Sequence, residues 1–390
     1  MSLRTDDFRA RARRYLPRFV FDYVDGGAED ERCLRRNRDD LDALRLVPNC
    51  LRDTSTIDTA VEVFGRRWAH PVGVAPVGFN GLVRPQGDVL LARAAAAQGL
   101  PFVLSTASNA RLEAVRAAAP EAVLWMQLYV MGERAIAEQI VRRAKAARFE
   151  ALVLTVDVPV SGLRERDVRN GFRLPFRPGP RMLWDLASHP AWSLGMARQG
   201  APGFVNLSEH ADGAASAQVQ AALLARAMDR SLVWDSLAWL RGLWSGPLLL
   251  KGVLHHGDAR RALQAGVDGL IVSNHGGRQL DAAPSSISVL GGILDAVEGR
   301  VPVFADSGFR RGSDVLKAVA LGARGVFLGR HAVWGLAAGG EAGAREALAL
   351  IGSEIERTMT LMGAASLREL GRGQLAPAFA EAFTARFTAR

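Results

Sequence analysis

Residues Leu270–Asp281 read Leu-Ile-Val-Ser-Asn-His-Gly-Gly-Arg-Gln-Leu-Asp. An apolar run ends here in polar residues, and a histidine, two glycines and an arginine follow at once. This pattern predicts a buried strand that delivers His275 and Arg278 to its carboxyl end, where parallel α/β enzymes hold their catalytic groups. His275 can accept a proton near neutral pH, and Arg278 offers a planar fork of donors to a carboxylate. We favour proton abstraction from an acid-bearing substrate over the alternative of a capping histidine in a solvated turn.

Short apolar runs of this kind recur along the chain and predict eight strands. They cover Pro71–Val77, Pro101–Thr106, Val123–Tyr129, Ala151–Asp157, Pro247–Val253, Gly269–Asn274, Pro302–Ser307 and Gly325–Arg330. Most gaps hold Ala/Leu/Arg-rich stretches of helical character, such as Gly87–Gln98, Arg134–Arg148, Asp258–Ala265 and Ser313–Leu321. Continuous apolar strands that alternate with helices are typical of parallel strands buried on both faces. Eight of them predict an α/β fold of the (β/α)₈ or TIM barrel type.

Three segments lie outside this repeat. Residues from about Thr5 to Asp42 predict an N-terminal helical extension, broken near Pro17 and again at Gly26-Gly27. Residues 172–215 form an insertion after the fourth strand that is rich in aromatic residues and arginines. Its composition alone favours an active-site lid or a subunit contact over a segment lying in a membrane interface. Residues 371–390 are expected to be a tail, which leaves 1–370 as a single barrel domain.

Composition and charge narrow the class of protein. Of the 390 residues, 49% are apolar and 23% are charged, which is ordinary for a folded chain, and the net charge of +9 favours anionic partners. No Lys/Arg block with interleaved aromatics occurs, so nucleic acid is the weaker candidate. Cys33 and Cys50 lack metal-ligand spacing, so we expect no metal site and a reducing compartment. The charged N-terminus and the lack of a long apolar window predict neither a signal peptide nor a spanning helix.

Each predicted strand ends in a polar or conformationally special residue, and in a barrel these ends converge on one mouth. One or two such residues would be helix N-caps, but a complete ring indicates a binding site. The last two strands carry glycines and arginines in Asp306–Gly312 and Leu328–Arg330, which predicts a phosphorylated ligand. No Gly-x-Gly-x-x-Gly follows the first strand and no Walker sequence occurs. A Rossmann-bound nicotinamide or a P-loop nucleotide is therefore not indicated.

The chain resembles the FMN-dependent 2-hydroxy-acid dehydrogenases and oxidases from about Phe8 to Leu370. The motifs that carry the resemblance are Ser273–Asp281, Phe21-Asp22-Tyr23, Gln127-Leu128-Tyr129, Leu154-Thr155-Val156-Asp157 and Asp306–Gly312. Within the family, Ala75–Leu82 and His189–Leu194 are most similar to the membrane-associated mandelate dehydrogenases. The resemblance implies FMN-dependent oxidation of an (S)-2-hydroxy acid, mandelate-like or L-lactate, to the 2-oxo acid.

The resemblance also bears on partners and location. It implies electron transfer to a membrane quinone, a homotetramer, and peripheral attachment of the insertion at the cytoplasmic side of the inner membrane. The alternative is a soluble, cytoplasmic oxidase of the same family that produces hydrogen peroxide. Gly78 stands where many of these oxidases carry alanine, which favours the dehydrogenase.

The resemblance assigns roles to residues already marked. It implies that His275 is the active-site base, that Asp157 holds its imidazole, and that Tyr129 bonds the substrate hydroxyl. The substrate carboxylate would be bound by Arg164 and Arg278, with Tyr23 as a further donor. The residues implied to hold FMN are Pro76, Val77, Gly78, Ser105, Gln127, Thr155, Lys251, Ser273, Asp306, Ser307, Gly308, Arg310, Gly329 and Arg330. The substrate side chain would be surrounded by Phe79, Met131, Val160 and Leu163.

Two functions outside the family remain as alternatives. Lys251 at a strand end, implied by the resemblance to lie near flavin N1 and O2, could instead form a Schiff base in an aldolase- or isomerase-like barrel that binds a sugar phosphate. A non-catalytic flavin-binding protein is the third possibility, and the full set of catalytic residue types argues against it.

Overall fold

A computed structural model of the chain describes residues 2–171, 179–200, 202–207 and 228–376. Its strands are β1 (Val61–Val63), β2 (Arg66–Trp68), β3 (Val72–Val74), β4 (Phe102–Leu104), β5 (Leu124–Leu128), β6 (Ala151–Thr155), β7 (Leu248–Val253), β8 (Gly269–Val272), β9 (Val303–Ala305) and β10 (Gly325–Leu328). Strands β3 to β10 form a closed barrel in chain order, and β10 pairs in parallel with β3 to complete it. All eight barrel strands lie within the apolar runs, so the (β/α)₈ prediction is confirmed.

Strand residues alternate between two apolar layers, because successive side chains point to opposite faces. Residues such as Val103, Trp125, Leu249 and Phe304 form one buried cluster, which fills the barrel interior. Their neighbours along each strand, such as Leu104, belong to a larger cluster between the barrel and the surrounding helices. Both faces of the strands are therefore buried, as their continuous apolar character predicts.

The amino end of the barrel is closed by the hairpin of β1 and β2. These strands pair antiparallel, with Val61 opposite Trp68. The Trp68 ring is fully buried and lies 5.5 Å from that of Trp125 and 5.7 Å from that of Phe304. Aromatic packing fills this end of the barrel, so a ligand-binding cavity can form only at the opposite, carboxyl end.

Helices surround the barrel and precede it. Their bounds are α1 (Thr5–Tyr15), α2 (Arg18–Asp25), α3 (Arg32–Ala43), α4 (Asn80–Val83), α5 (Gly87–Ala97), α6 (Leu112–Ala118), α7 (Arg134–Ala146), α8 (Glu165–Arg169), α9 (Pro180–Ser188), α10 (Pro190–Gln199), α11 (Ser236–Leu243), α12 (His256–Gln264), α13 (Ser286–Val297), α14 (Gly312–Leu321) and α15 (Arg330–Met362). Helices α1 to α3 are the predicted N-terminal extension, with breaks at the predicted places. Helix α15 is interrupted by non-helical Gly339 and Gly340.

The described part of the insertion is helical. Helices α9 and α10 each carry proline at the first helical position, where its missing N–H costs nothing. Helix α9 has no buried residue, and Leu183, Trp184 and Leu194 are 55%, 77% and 57% exposed. Within the described ranges, no helix is long and apolar enough to cross a membrane. Residues 172–178, 201 and 208–215 of the insertion, and 377–390 of the tail, lie outside the described residues.

Candidate active site

The polar residues at the carboxyl end of the barrel point inward, like the apolar residues that precede them on the same strands. Each lies two positions after an interior apolar residue, so the two-residue period of a strand turns it toward the barrel axis. Lys251 follows Leu249, and Asp306 follows Phe304. The buried members of this ring are Ser105, Gln127, Thr155, Lys251, Ser273 and Asp306. The same alternation that builds the core therefore supplies the polar floor of the mouth.

Gln127 links three neighbouring strand ends below the cavity. Its Oε1 accepts hydrogen bonds from the Ser105 hydroxyl (3.2 Å) and the Thr106 N–H (3.1 Å). Its Nε2 donates to the Thr155 hydroxyl at 3.0 Å. Because these groups are buried, satisfying them fixes the orientation of the amide.

Lys251 is a buried cation held by two neighbours. Its Nζ donates to the Ser273 hydroxyl at 2.8 Å and lies 3.1 Å from Oδ2 of Asp306. Burial acts to lower the pKa of this ammonium, but the charges of Asp306 and Asp157 outweigh burial and the pKa is raised. Lys251 is therefore protonated at neutral pH and presents a fixed positive charge beside the cavity.

His275 is oriented by a carboxylate on one side and a phenol on the other. Its φ of 58° turns the chain sharply after β8, and Gly276 and Gly277 follow in the same left-handed region. Its Nδ1 lies 2.9 Å from Oδ1 of Asp157, and its Nε2 lies 3.4 Å from the Tyr129 hydroxyl. The Asp157 contact assigns the Nδ1 proton and leaves Nε2 to face the cavity as a base.

The electrostatics set the protonation states of Asp157 and Tyr129. Burial acts to raise the pKa of Asp157, but the charges of His275 and Lys251 outweigh it and the pKa is lowered. Burial, and then the charge of Asp157, raise the pKa of Tyr129. Asp157 is thus ionised and Tyr129 is a neutral hydrogen-bond donor at neutral pH.

Two arginines face the same cavity from different loops. The guanidinium carbons of Arg164 and Arg278 lie 5.5 and 4.9 Å from the ring centre of Tyr23. Arg278 also donates to the carbonyl of Gly26 at 3.1 Å, and Arg164 lies 3.1 Å from Asp167. Burial, and then the charge of Arg164, lower the pKa of Arg278. Like charges crowded at a buried site are relieved by an anion, and a carboxylate fits the guanidinium fork.

A second group of arginines lies beside the last two barrel strands. Burial and the nearby charge of Arg38 lower the pKa of Arg310. Arg38 donates to the carbonyl of Gly308 at 2.6 Å, which shapes the loop that follows β9. The Gly308 φ of 91° favours glycine there, and a Cβ atom would lie 2.9 Å from the Asn37 Cβ. This end of the cavity is also suited to an anion.

One cavity of about 430 Å³ joins these groups. The predicted residues that line it are Tyr23, Pro76, Val77, Gly78, Ser105, Tyr129, Arg164, Lys251, His275, Arg278, Asp306, Ser307, Gly308, Arg310, Gly329 and Arg330. Asp157, Gln127, Thr155 and Ser273 lie behind this wall and contact it through the hydrogen bonds given above. The structure thus brings together, at the carboxyl end of the barrel, all the residues predicted to be catalytic, to bind the substrate carboxylate and hydroxyl, or to hold FMN.

Comparison with known proteins identifies the family. A family model described as FMN-dependent dehydrogenase matches residues 12–377. The chain is 45% identical over 365 residues to (S)-mandelate dehydrogenase of Pseudomonas putida, which covers 94% of this chain and 91% of that protein. It is 44% identical over 370 residues to L-lactate dehydrogenase of Pseudomonas aeruginosa (strain UCBPP-PA14), covering 95% and 97%. The chain belongs to the FMN-dependent dehydrogenase family.

Solved structures agree with this assignment. The crystal structure of the monotopic membrane protein (S)-mandelate dehydrogenase matches with a TM-score of 0.93 at 43% identity, covering 96% of this chain and 99% of that one. The crystal structure of mandelate oxidase with (S)-2-phenylpropionate matches with a TM-score of 0.81 at 37% identity, covering 96% and 98%. The protein is an FMN-dependent dehydrogenase, and its cofactor is FMN.

The cavity of this FMN-dependent dehydrogenase fits that cofactor. FMN carries a phosphate at one end and a redox-active ring at the other, and the cavity has a separate cationic group for each of two anions. The Arg38 and Arg310 group suits the phosphate, and the Arg164 and Arg278 group suits a substrate carboxylate. Lys251 lies between strand ends along the cavity floor. Lys251 would be among the residues that hold FMN, which would supply the family's redox chemistry when bound.

Arg330, one of the residues predicted to hold FMN, directs its side chain mainly to main-chain carbonyls. Arg330 donates to the carbonyls of Val24 (3.0 Å), Gly276 (2.9 Å) and Gly26 (2.8 Å). Burial, and then the charge of Arg278, lower its pKa to about 9. Its side chain therefore ties helix α2 to the His275 loop, while its main chain begins α15, where free N–H groups favour an anion.

Other residues of the cavity were not found from the sequence. Of the four residues expected around the substrate side chain, only Phe79 lines the cavity. Val160 and Leu163 are exposed, and Met131 is buried behind the lining, where it pairs with Met228. Additional lining residues include Arg38, Phe204, Met228 and Trp334. Phe204 and Met228 belong to the long gap between β6 and β7, where aromatic composition was the only signal. Arg38 is one of several charged residues in helix α3, and nothing in the sequence marked it as a residue of the cavity.

Proposed function

We propose that this dehydrogenase oxidises an (S)-2-hydroxy acid, mandelate-like or L-lactate, to the corresponding 2-oxo acid. The observation that carries the proposal is one cavity in which the His275 and Asp157 pair faces the arginines Arg164 and Arg278. A base beside a carboxylate site is the arrangement that a 2-hydroxy acid requires, because its hydroxyl and carboxylate are attached to the same carbon. The names of the relatives, (S)-mandelate dehydrogenase and L-lactate dehydrogenase, support the same substrate class.

Each polar residue of the site would have its own role in this reaction. Arg164 and Arg278 bind the carboxylate and so fix the position of the reacting carbon. Tyr129 donates a hydrogen bond to the substrate hydroxyl oxygen, and Nε2 of His275 accepts a proton from the substrate. Asp157 stabilises the imidazolium that results, because its carboxylate lies 2.9 Å from Nδ1. Tyr23 contributes a phenol to the same wall.

The ion pair of Lys251 argues against the aldolase-like alternative. A Schiff-base lysine must reach its neutral form to attack a carbonyl, and proteins achieve this by lowering the pKa of the amine. The pKa of Lys251 is raised instead, and its Nζ is held by Asp306 and Ser273. We propose that Lys251 stays charged and faces the cofactor, together with the other predicted FMN residues.

An anaerobic visible spectrum tests the substrate class directly. The purified holoenzyme is mixed with (S)-mandelate, (R)-mandelate, (S)-lactate or glycolate, and the flavin absorbance is followed before and after air is admitted. We expect bleaching by the (S) acids and slow recovery in air. Rapid recovery would support the oxidase alternative, and no bleaching by any acid of the panel would refute the proposed function.

Replacing His275 by Gln tests the assigned base. We expect FMN to stay bound and flavin reduction by substrate to slow by about 100- to 10 000-fold, because the proton acceptor is lost. His256→Gln, at the start of α12 and outside the cavity lining, is the matched control. Reduction at the wild-type rate in His275→Gln would refute the assignment.

We also propose that the protein works at the cytoplasmic face of the inner membrane as a peripheral homotetramer and passes its electrons to a quinone. Helices α9 and α10 support membrane attachment, because they expose Leu183, Trp184 and Leu194 without a partner surface among the described residues. Tryptophan and leucine on a short helix suit the interface between lipid and water. The net charge of +9 favours an anionic lipid surface.

Replacing Leu183, Trp184 and Leu194 by glutamate tests whether this surface binds the membrane. We expect the triple variant to move from the membrane pellet to the supernatant while it still reduces a dye acceptor with substrate. Leu361→Glu is the matched control, since Leu361 is 72% exposed and belongs to helix α15, outside the insertion. Equal sedimentation of the triple variant and wild type would contradict membrane attachment through these helices. Light scattering of the purified protein tests the tetramer.

A further inference from the structure

One wall of the active-site cavity comes from the insertion. Phe204 lines the cavity and is 1% exposed. Its ring centre lies 4.4 Å from that of Phe79, at an interplanar angle of 64°. The Phe79 ring in turn lies 5.7 Å from that of Tyr23, at 81°. The three rings form a continuous apolar wall of edge-to-face contacts, which begins beside the arginine site and ends in the insertion.

Directed hydrogen bonds hold Phe204 in this position. The Asn109 side chain accepts from the Gly81 N–H (3.0 Å) and donates to the Gly203 carbonyl (2.9 Å). The Asn206 side chain, which is fully buried, accepts from the Leu112 N–H at 3.1 Å and donates to the Ala110 carbonyl at 2.9 Å. Residues 202–207 are thus tied to the loops that follow β3 and β4.

A second apolar residue from the gap between β6 and β7 also lines the cavity. Met228 lines the cavity and forms an isolated antiparallel bridge with Met131. The Asp229 N–H donates to the Val130 carbonyl at 3.1 Å, which fixes the chain beside the strand end that carries Tyr129. Phe204 and Met228 approach the cavity from two separately anchored segments.

We propose that Phe204, with Phe79 and Met228, forms the subsite for the side chain of the substrate and selects an aromatic or other large apolar group over a methyl group. This inference rests on the proposed function and makes its substrate class more specific. The polar groups of the cavity bind the carboxylate and the hydroxyl, so the side chain on the same carbon must point to the remaining wall. A methyl group is too short to touch the Phe204 ring, and the dispersion attraction between substrate and ring falls steeply when a gap of even 1 Å opens.

The measured quantity is the ratio of kcat/KM for (S)-mandelate to kcat/KM for (S)-lactate. We expect Phe204→Ala to lower this ratio by about 10- to 100-fold, since loss of a hydrophobic contact of this size changes discrimination by that order. Phe204→Leu should lower it less, because apolar volume is partly kept. We also expect weaker binding of phenylacetate, an unreactive aromatic acid, measured by its perturbation of the flavin spectrum.

Leu207→Ala is the matched control. Leu207 is a buried residue of the same segment and belongs to the core, but it does not line the cavity. The ratio should stay at the wild-type value in this variant if Phe204 acts by contact with the substrate. An equal fall in both variants would mean that the segment has only a structural role, and it would overturn the subsite.

The outcomes separate this inference from the proposed function. If wild type oxidises neither acid, the proposed function fails and the subsite fails with it. If wild type oxidises both and Phe204→Ala leaves the ratio unchanged, only the subsite is overturned. If Phe204→Ala does not fold with FMN bound, Phe204→Leu and Met228→Ala decide, and an unchanged ratio in both refutes the proposal.

Discussion

At the scale of single residues, Asp157 contributes to the site through its charge. It does not line the cavity, yet its carboxylate lies 2.9 Å from Nδ1 of His275 and its pKa is lowered. Its contribution is therefore the charge that it keeps beside the imidazole. An amide of the same size would retain the volume and remove that charge.

We expect Asp157→Asn to slow flavin reduction by substrate about 100- to 10 000-fold, because the imidazolium loses its counter-ion and the correct tautomer is no longer enforced. FMN content should remain at the wild-type level, since Asp157 does not line the cavity. Stopped-flow absorbance under anaerobic conditions measures the rate, and the resting flavin spectrum measures the content. A wild-type rate would show that His275 needs no carboxylate.

At the scale of secondary structure elements, two helix glycines differ in the space that surrounds them. In α13, a Cβ atom on Gly292 would meet no other atom within 4 Å. At the start of α14, a Cβ atom on Gly312 would lie 2.4 Å from the Ile355 nitrogen. The Gly312 N–H also donates to the Glu354 carboxylate at 2.7 Å. The same substitution should therefore have opposite effects in the two helices.

Gly292→Ala should raise the free energy of unfolding by about 0.5–1 kcal/mol, because alanine loses less backbone entropy in a helix. Gly312→Ala should lower it by about 1–3 kcal/mol, because the backbone of α15 cannot move away without cost. Urea unfolding followed by circular dichroism measures both. A stabilised Gly312→Ala variant would show that α14 and α15 are not in close contact at this point.

The barrel and its polar floor could be predicted because both follow from one local rule. Strand alternation places Lys251 two residues after Leu249 and turns both inward, so a sequence pattern is enough to assign the residue to the mouth. Phe204 could not be assigned in this way. Its position depends on two hydrogen bonds between parts of the chain that are distant in sequence: the Asn109 side chain donates to the Gly203 carbonyl, and the Asn206 side chain accepts from the Leu112 N–H. No periodicity in the sequence encodes such contacts.

At the scale of the whole molecule, the cofactor site joins parts of the chain that are distant in sequence. The cavity is lined by Tyr23 from α2, by strand ends from Ser105 to Gly329, and by Arg38 from α3. A ligand that contacts all of them binds only the folded chain. Its binding free energy therefore adds to the stability of the fold.

We expect FMN at about 100 times its Kd to raise the free energy of unfolding by about 2.7 kcal/mol over the cofactor-depleted protein. Riboflavin, which has the same ring and lacks the phosphate, is the matched control ligand. At equal concentration it should stabilise less, because Arg310 and the first N–H groups of α15 then have no anion to bind. Arg310→Leu should reduce the advantage of FMN over riboflavin, since it removes one cation from that end of the cavity. Equal stabilisation of the wild type by FMN and riboflavin would mean that the phosphate gains nothing from the Arg38 and Arg310 group, and it would contradict the placement of the phosphate at that end of the cavity.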